Sequence, residues 1–455
     1  MNDPGASRLR NPWPDYNAVW RWHFYAGLLC IPFVLWLSIT GAIYVFKPQV
    51  EAWLDAPFES RSVVLHPTSP QSQVRAALMD NPGAQFRSYQ LPQSPHAAAR
   101  VLLGRGDRMI RSYVDPADAQ VLKSVDEDKR FMNQISFLHG ELAIGAAGSA
   151  VVEIAACWAI VMILTGLFLW WPRSIKGLGG ILFPRLNHGG RFFWRDLHAV
   201  TGAWVCALAL FLLLSGLPWA KNWGGYLKEV RRLTGTAEAA QDWSTGRASE
   251  IAQRRAAATE HADHMPGMMM DMSGDLSALD RLAPVVAAAH LAPPVLISPP
   301  KEMGGYWIAK SDAQNRSLRA TLELDPDSGA IVGRQNFNQR HPIDQVIGIG
   351  ISAHEGQLFG WINQLLSLSA AFGLILLCIS AGVLWLRRKP SSALGAPQDA
   401  ARPRFSFGLL GVTVLLAVLF PLFGASLLIV LIVERTMLRR IVRVRQWLGL
   451  SAVAQ

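Results

Sequence analysis

Arg195-Asp196-Leu197-His198-Ala199-Val200-Thr201-Gly202 opens an apolar run that continues to Trp219. Laid over the N-terminal stretch Arg21-Trp22-His23-Phe24-Tyr25-Ala26-Gly27, it matches position by position where it matters. His198 falls on His23, Gly202 on Gly27 and Gly216 on Gly41, at identical offsets of four and eighteen residues from each histidine. Ser38-Ile39-Thr40-Gly41 and Leu214-Ser215-Gly216 close the two runs at corresponding depths. Each run reaches the roughly 20 apolar residues that cross a hydrocarbon core.

A second pair of runs matches in the same way. His139 precedes Val151–Trp171 and His354 precedes Trp361–Leu386. Aligned on those histidines, Gly145 meets Gly360 and Trp170 meets Trp385, while Gly166 and Gly382 disagree by one residue. The segments between the runs repeat as well. Tyr113-Val-Asp115-Pro116-Ala-Asp-Ala-Gln-Val121-Leu122 resembles Glu323-Leu-Asp325-Pro326-Asp-Ser-Gly329-Ala-Ile331-Val332, and each reads as strand, Asp-Pro turn, strand. A helical pattern precedes each, at Gln71–Met79 and Leu276–Ala289. The repeating unit is span, outer α+β domain, span, and it occurs twice. A pseudo-two-fold axis along the membrane normal is expected to relate the halves.

A fifth apolar block, Phe405–Val433, is interrupted by Pro421-Leu-Phe-Gly424. Pro and Gly together punctuate a helix, so a hairpin of two short spans is preferred over one tilted helix. The expected layout is a membrane helical bundle of six spans. Residues 1–20 are an N-terminal segment, 21–47 the first span, 48–138 the first outer domain and 139–172 the second span. A loop at 173–196 leads to the third span, 197–219, then to the second outer domain, 220–353, and the fourth span, 354–387. A loop at 388–404 leads to the hairpin, 405–420 and 421–436, with 437–455 as the tail.

Orientation follows from Lys and Arg in the short flanks. Arg8 and Arg10, the Arg173–Arg195 loop, Arg387–Arg404 and Arg435–Arg445 all fall on one side if the spans number six. That side is the cytoplasm, with both termini there and both outer domains in the periplasm. The first apolar stretch is too long for a cleavable signal and reads as an anchor. The net charge of +10 is thus a topology signal, and no nucleic-acid partner is expected. Cys30, Cys157, Cys206 and Cys378 fall inside spans and read as packing residues.

With alternating spans, His23 and His198 share the cytoplasmic side and His139 and His354 the periplasmic side. Ionisable residues in lipid are costly and usually functional. Two imidazoles per side is the ligand set of one bis-histidine haem per side. A lone histidine near a span end is more often a packing residue; four obeying one repeat are not well explained that way. Gly27 and Gly202 have two compatible readings, close helix contact or room for a haem face. Arg21 and Arg195 flank the inner histidines and read equally as propionate partners or as the positive-inside signal. Trp20, Trp22, Trp171, Trp194 and Trp219 fall where an aromatic belt is expected. From His139 to Trp170 is thirty-one residues, so a continuous helix there would carry His139 and His354 to or above the outer membrane surface.

Arg195-Asp-Leu-His198-Ala-Val-Thr-Gly202, the exit Trp170-Trp171-Pro172-Arg173, the two Asp-Pro hairpins and Phe420-Pro-Leu-Phe-Gly424-Ala-Ser together resemble the PepSY-associated transmembrane family. The resemblance runs from about residue 15 to 440. It implies PepSY-like outer domains, b-type haem in the bundle and kinship with bacterial inner-membrane ferric-siderophore reductases. The reading is then a transmembrane haem-dependent metalloreductase with two b-type haems, held by His23, His198, His139 and His354. No flavin or nicotinamide fingerprint is present, so the electron donor is a separate cytoplasmic reductase, a reduced flavin or a quinol. The acceptor is a periplasmic ferric chelate or another metal ion.

One stretch falls outside the repeat: His261-Ala-Asp-His264-Met265-Pro-Gly-Met268-Met269-Met270-Asp-Met272. Thioethers and imidazoles are soft ligands suited to Cu(I); the plainer reading is a Met-rich insertion. His188 and His341 lack repeat mates and read as surface residues, and nothing is assigned to His66 and His96. Two other classes stay in view, a copper or iron permease and a non-catalytic PepSY scaffold. Against the permease, Glu153 is the one acidic residue deep in the four main spans.

Overall fold

The computed structural model describes residues 15–172, 177–186, 189–237, 243–245, 249–255, 276–300, 304–397 and 407–450. The chain divides into two units. One comprises Met1–Ile39, Ala150–Leu217 and Ser369–Gln455; the other comprises Thr40–Ser149 and Pro218–Leu368.

The first unit is helical. Tyr16–Tyr44, Ala146–Trp170, Arg191–Trp219, Trp361–Arg388 and Pro421–Leu438 are each long and apolar enough to cross a membrane, and Phe407–Leu419 is a shorter apolar helix. Their apolar residues run round the whole helix, as a lipid-facing helix requires. Leu29, Trp36, Leu164, Trp204, Phe372 and Ile379 stand exposed on them, which water would penalise and lipid would not. The chain is therefore a membrane protein.

The Phe405–Val433 block is two helices, Phe407–Leu419 and Pro421–Val433, broken at Phe420. The second adds a π-helical turn, Glu434–Leu438. The chain turns back at the break: a Cβ placed on Gly424 would lie 3.1 Å from Cβ of Ala417. Residues flanking the helix pair also meet, with the Leu394 N–H donating to the Trp447 carbonyl at 2.8 Å. The Phe420–Ser426 motif docks the pair onto the second span through Trp158. That buried indole stacks on Trp22 (6.2 Å between ring centroids), meets the edge of Phe423 at 5.2 Å and donates from Nε1 to Ser426 Oγ at 3.1 Å.

The second unit holds one eight-stranded antiparallel sheet in the order β4-β3-β2-β1-β5-β6-β7-β8. Its strands are β1 Gln85–Gln90, β2 Ala99–Arg105, β3 Arg108–Val114, β4 Val121–Asp126, β5 Val295–Ser298, β6 Trp307–Ser311, β7 Ala320–Leu324 and β8 Ile331–Asn336. The two Asp-Pro turns join β3 to β4 and β7 to β8, and Asp115 and Asp325 each accept backbone N–H bonds two residues on, from Ala117 and Asp327. The helices Pro70–Asp80 and Ser277–Ala288 cover one face. Beneath them Val101, Leu103, Ile297, Leu322 and Leu279 share a single core.

Two separate outer domains were expected from the sequence, and here the structure differs. The two meanders fuse through β1 and β5, pairing Tyr89 with Ile297 and Gln90 with Leu296. Each meander alone would leave this strand with a row of unpaired N–H and C=O groups, and pairing edge to edge removes both. Fusion also merges two small cores into one, which buries more apolar surface per residue.

The expected second and fourth spans, 139–172 and 354–387, are also corrected. His139 lies on a separate helix, Phe131–Glu141, and the span proper is Ala146–Trp170. His354 ends the helix Pro342–His354, and its span is Trp361–Arg388. Left-handed residues make each break: Leu142, Ala143 and Gly145 in the first, Gly356 and Gly360 in the second. The Gly145–Gly360 match in the sequence thus marks a chain reversal, and no continuous helix links His139 to Trp170.

Candidate functional site: two pairs of facing histidines

The first pair lies in the helical unit. His23 sits in the Tyr16–Tyr44 helix and His198 in Arg191–Gly216, with ring centroids 6.5 Å apart and planes at 79°. Nδ1 of His23 lies 3.0 Å from Thr165 Oγ1, whose hydrogen is already spent on the carbonyls of Val161 (2.8 Å) and Met162 (3.1 Å). With that hydrogen spent, the hydroxyl oxygen and the Met162 carbonyl are the acceptors open to an Nδ1–H. His198 repeats the device, with Nδ1 3.1 Å from Ser380 Oγ and that hydroxyl donating to the Leu377 carbonyl at 3.0 Å. A neutral imidazole protonated at Nδ1 keeps its Nε2 lone pair for a metal.

Glycine makes the room for this packing. A Cβ on Gly166 would stand 3.1 Å from Cε1 of His23. Gly27 and Gly202 face Met162 Sδ (3.7 Å) and Leu377 Cδ2 (3.6 Å), the closest neighbours a Cβ there would meet.

The second pair lies in the sheet-bearing unit. His139 and His354 have centroids 6.4 Å apart and planes at 76°. Thr40 Oγ1 lies 2.9 Å from Nδ1 of His139, and a Cβ on Gly41 would be 3.2 Å from its Cε1. The Trp219 ring meets His354 edge-on at 5.6 Å, which gives that indole a place at the site beyond the expected belt.

The loop after His354 is held by amides. Asn363 donates to the Ala353 carbonyl (2.9 Å) and accepts from the Leu358 N–H (3.0 Å), while Gln357 and Gln364 both donate to the Val45 carbonyl. In the first repeat the same place is taken by Gly148, where a Cβ would lie 1.8 Å from the Glu141 carbonyl oxygen. Burial pushes the Glu355 carboxyl above its ordinary range, opposed first by the Arg316 guanidinium.

Sequence reading missed the hydroxyl partners, although the signal was present. The offset that aligns His139 with His354 also aligns Thr165 with Ser380, and the one that aligns His23 with His198 aligns Thr40 with Ser215. The remaining site residues are placed as follows. The buried Arg21 donates to the carbonyls of Pro397 and Gly449 (3.1 Å to the latter) and ties the first span to the chain beyond the fourth and last. The exposed Arg195 pairs with Asp196 at 3.1 Å and lies over the Phe192 ring. Both guanidiniums thus have protein partners. Glu153 is buried in the second span. His341 caps the helix that ends in His354, its side chain accepting from the Ile343 N–H. His188 and the stretch His261–Met272 lie outside the described residues.

The pairs can be tested against a haem on their own geometry. Two imidazoles that both bound one metal, at roughly 2.0–2.1 Å each, would have ring centroids a little over 6 Å apart. The observed 6.5 and 6.4 Å match that separation. Among the described residues no group of three or more His, Cys, Asp or Glu forms a bare-ion site. Two neighbouring imidazoles suit a metal whose other ligands come from a macrocycle. The residues present fit the group.

A set of apolar spans together with an antiparallel sheet unit defines a multi-span membrane protein with a PepSY-like sheet domain. The family model described as the PepSY-associated TM region matches residues 20–388, and the chain belongs to that family. No curated protein matches the chain.

Proposed function

We propose that this protein is a six-span, bacterial inner-membrane di-haem b oxidoreductase that passes electrons from a cytoplasmic donor to a periplasmic ferric chelate, as a ferric-siderophore reductase would. The observation that carries the reading is the pair of histidine couples, each spaced for one iron and with Nε2 kept free in the couple whose tautomers are fixed. A haem bound at each couple supplies one-electron iron chemistry. The chain's own part is ligation and electrostatics. Thr165 and Ser380 hold His23 and His198 as neutral ligands, and Thr40 orients His139. Trp219 walls His354 on one side, and Asn363 fixes the carbonyl just before it. Basic flanks favour a cytoplasmic side for His23: Arg388 lies over the rings of Trp20 (4.9 Å) and Phe24 (5.0 Å) at the start of the first span. The fused sheet then belongs to the periplasm.

The test is spectroscopic. Protein purified from haem-replete cells is expected to carry about two low-spin b-type haems per chain, and a colourless preparation would sink the reading. Dithionite-reduced protein mixed with ferric siderophores or with Cu(II) then identifies the acceptor. Faster haem reoxidation by the ferric chelate is the expected outcome.

A further inference from the structure

His139 and His354 both sit on short helices cut off from their spans by left-handed residues. The spans that follow these helices therefore do not carry the rings; Thr40 and Trp219 touch them from other spans, and the helices themselves must be held by further contacts. Each ligand helix is tied at its start by a largely buried ion pair to the helix that follows a span. Arg130, which precedes Phe131–Glu141, donates from its guanidinium to Asp55 at 3.2 and 3.1 Å. Asp344, the third residue of Pro342–His354, receives both arms of Arg231 at 2.6 Å. Asp55 belongs to the helix Lys47–Glu59, which follows the first span, and Arg231 to Lys221–Leu233, which follows the third.

The two ion pairs occupy repeat-related places, each member within one residue of its counterpart's aligned position. Their charges are reversed. In the first repeat the acid is on the post-span helix and the base on the ligand helix; in the second the base is on the post-span helix. Burying charges is expensive, and a buried pair earns stability poorly compared with apolar packing. What such a pair does supply is directional, bidentate geometry. Reversal adds discrimination: a ligand helix docked on the wrong post-span helix would set Arg130 against Arg231, or Asp344 against Asp55.

We propose that Asp55–Arg130 and Arg231–Asp344 are positioning residues that clamp the two ligand helices at the separation one iron needs, with their opposite polarity assigning each helix to its own partner. The inference rests on the haem reading above and deepens it at the His139–His354 couple. They act on the imidazoles through the helices that carry them. Asp55 also takes the Tyr113 hydroxyl at 2.9 Å and lies 3.4 Å from Arg100, so the first clamp is a node of a network. Arg231–Asp344 is the simpler pair to test.

Arg231→Met and Asp344→Asn are made in the full chain, with the couple at His23–His198 as an internal control. Each single variant is expected to shift the low-spin electron paramagnetic resonance signal and the midpoint potential of one haem and to weaken its retention about tenfold, leaving the other haem unchanged. The reversed double variant R231D/D344R is expected to recover both signature and retention. Unaltered spectra in the single variants would overturn the inference. So would loss of both haems together, which denotes general support of the fold, or a double variant no better than either single one. Wild-type protein without haem would overturn it along with the reading beneath it, whereas a two-haem wild type with unaffected variants would remove this inference alone.

Discussion

The two histidine couples reach nearly the same spacing by different means. His23 and His198 lie within long helices, and hydroxyls on neighbouring helices lock their tautomers. His139 and His354 stand on short helices beyond chain breaks and depend, besides the Thr40 hydroxyl at His139, on turns, amides and ion pairs. A histidine within a span inherits the rigidity of the helix; a histidine outside it must be placed by the folded sheet unit. Damage to local tertiary contacts should therefore reach the second couple sooner than the first.

Removing ligands tests the comparison most severely. His23→Ala and His198→Ala are each expected to abolish one haem, and His139→Ala and His354→Ala the other, as counted by haemochrome assay. If His23→Ala and His139→Ala removed the same haem, the couples would be wrongly drawn. Next in size is Gly148→Ala, which drives a methyl into the Glu141 backbone. Overpacking costs about 1–3 kcal/mol, and a rigid backbone neighbour puts this site at the upper end. Loss of the His139–His354 haem with the other retained is the expected outcome, and equal loss of both would erase the contrast.

Smaller effects should come from the hydroxyls. Thr165→Val removes the hydroxyl beside the His23 Nδ1–H and leaves the Met162 carbonyl as its partner, a change worth on the order of 1 kcal/mol, or roughly 40 mV for a one-electron couple. A hydrogen-bonded Nδ1–H makes imidazole a stronger donor, so its loss should raise the potential of that haem, with occupancy kept. Redox titration of the variant decides it, and an unchanged potential would deny Thr165 its part. The smallest expected effect on the haems is none. Deleting His261–Met272 should leave both spectra intact; if the stretch holds Cu(I), the deletion should abolish copper binding and slow reoxidation by Cu(II) alone.

Much was legible in the sequence because it is written in period and offset. Apolar runs declare spans, since lipid demands uniform apolarity. The two-fold repeat showed in His23/His198 and His139/His354, and the Asp-Pro turns announced their hairpins. The hairpin break at Phe420–Pro421 was likewise readable from Pro and Gly. The helix break between His139 and Trp170 was less so: Leu142 and Ala143 carry no turn signature, and only the fold holds them left-handed.

The sequence by itself determined the apolar spans, the paired units and the four histidines, because each depends on local composition or on comparing the chain with itself. Tertiary structure alone decided that the two meanders share one sheet, that Arg21 serves carbonyls of the chain beyond the fourth and last spans, and that Arg231 reaches Asp344 across more than a hundred residues. Strand edges, guanidiniums and carboxylates each accept many partners. Which one they take depends on what folding brings within about 3 Å, and no local pattern encodes that.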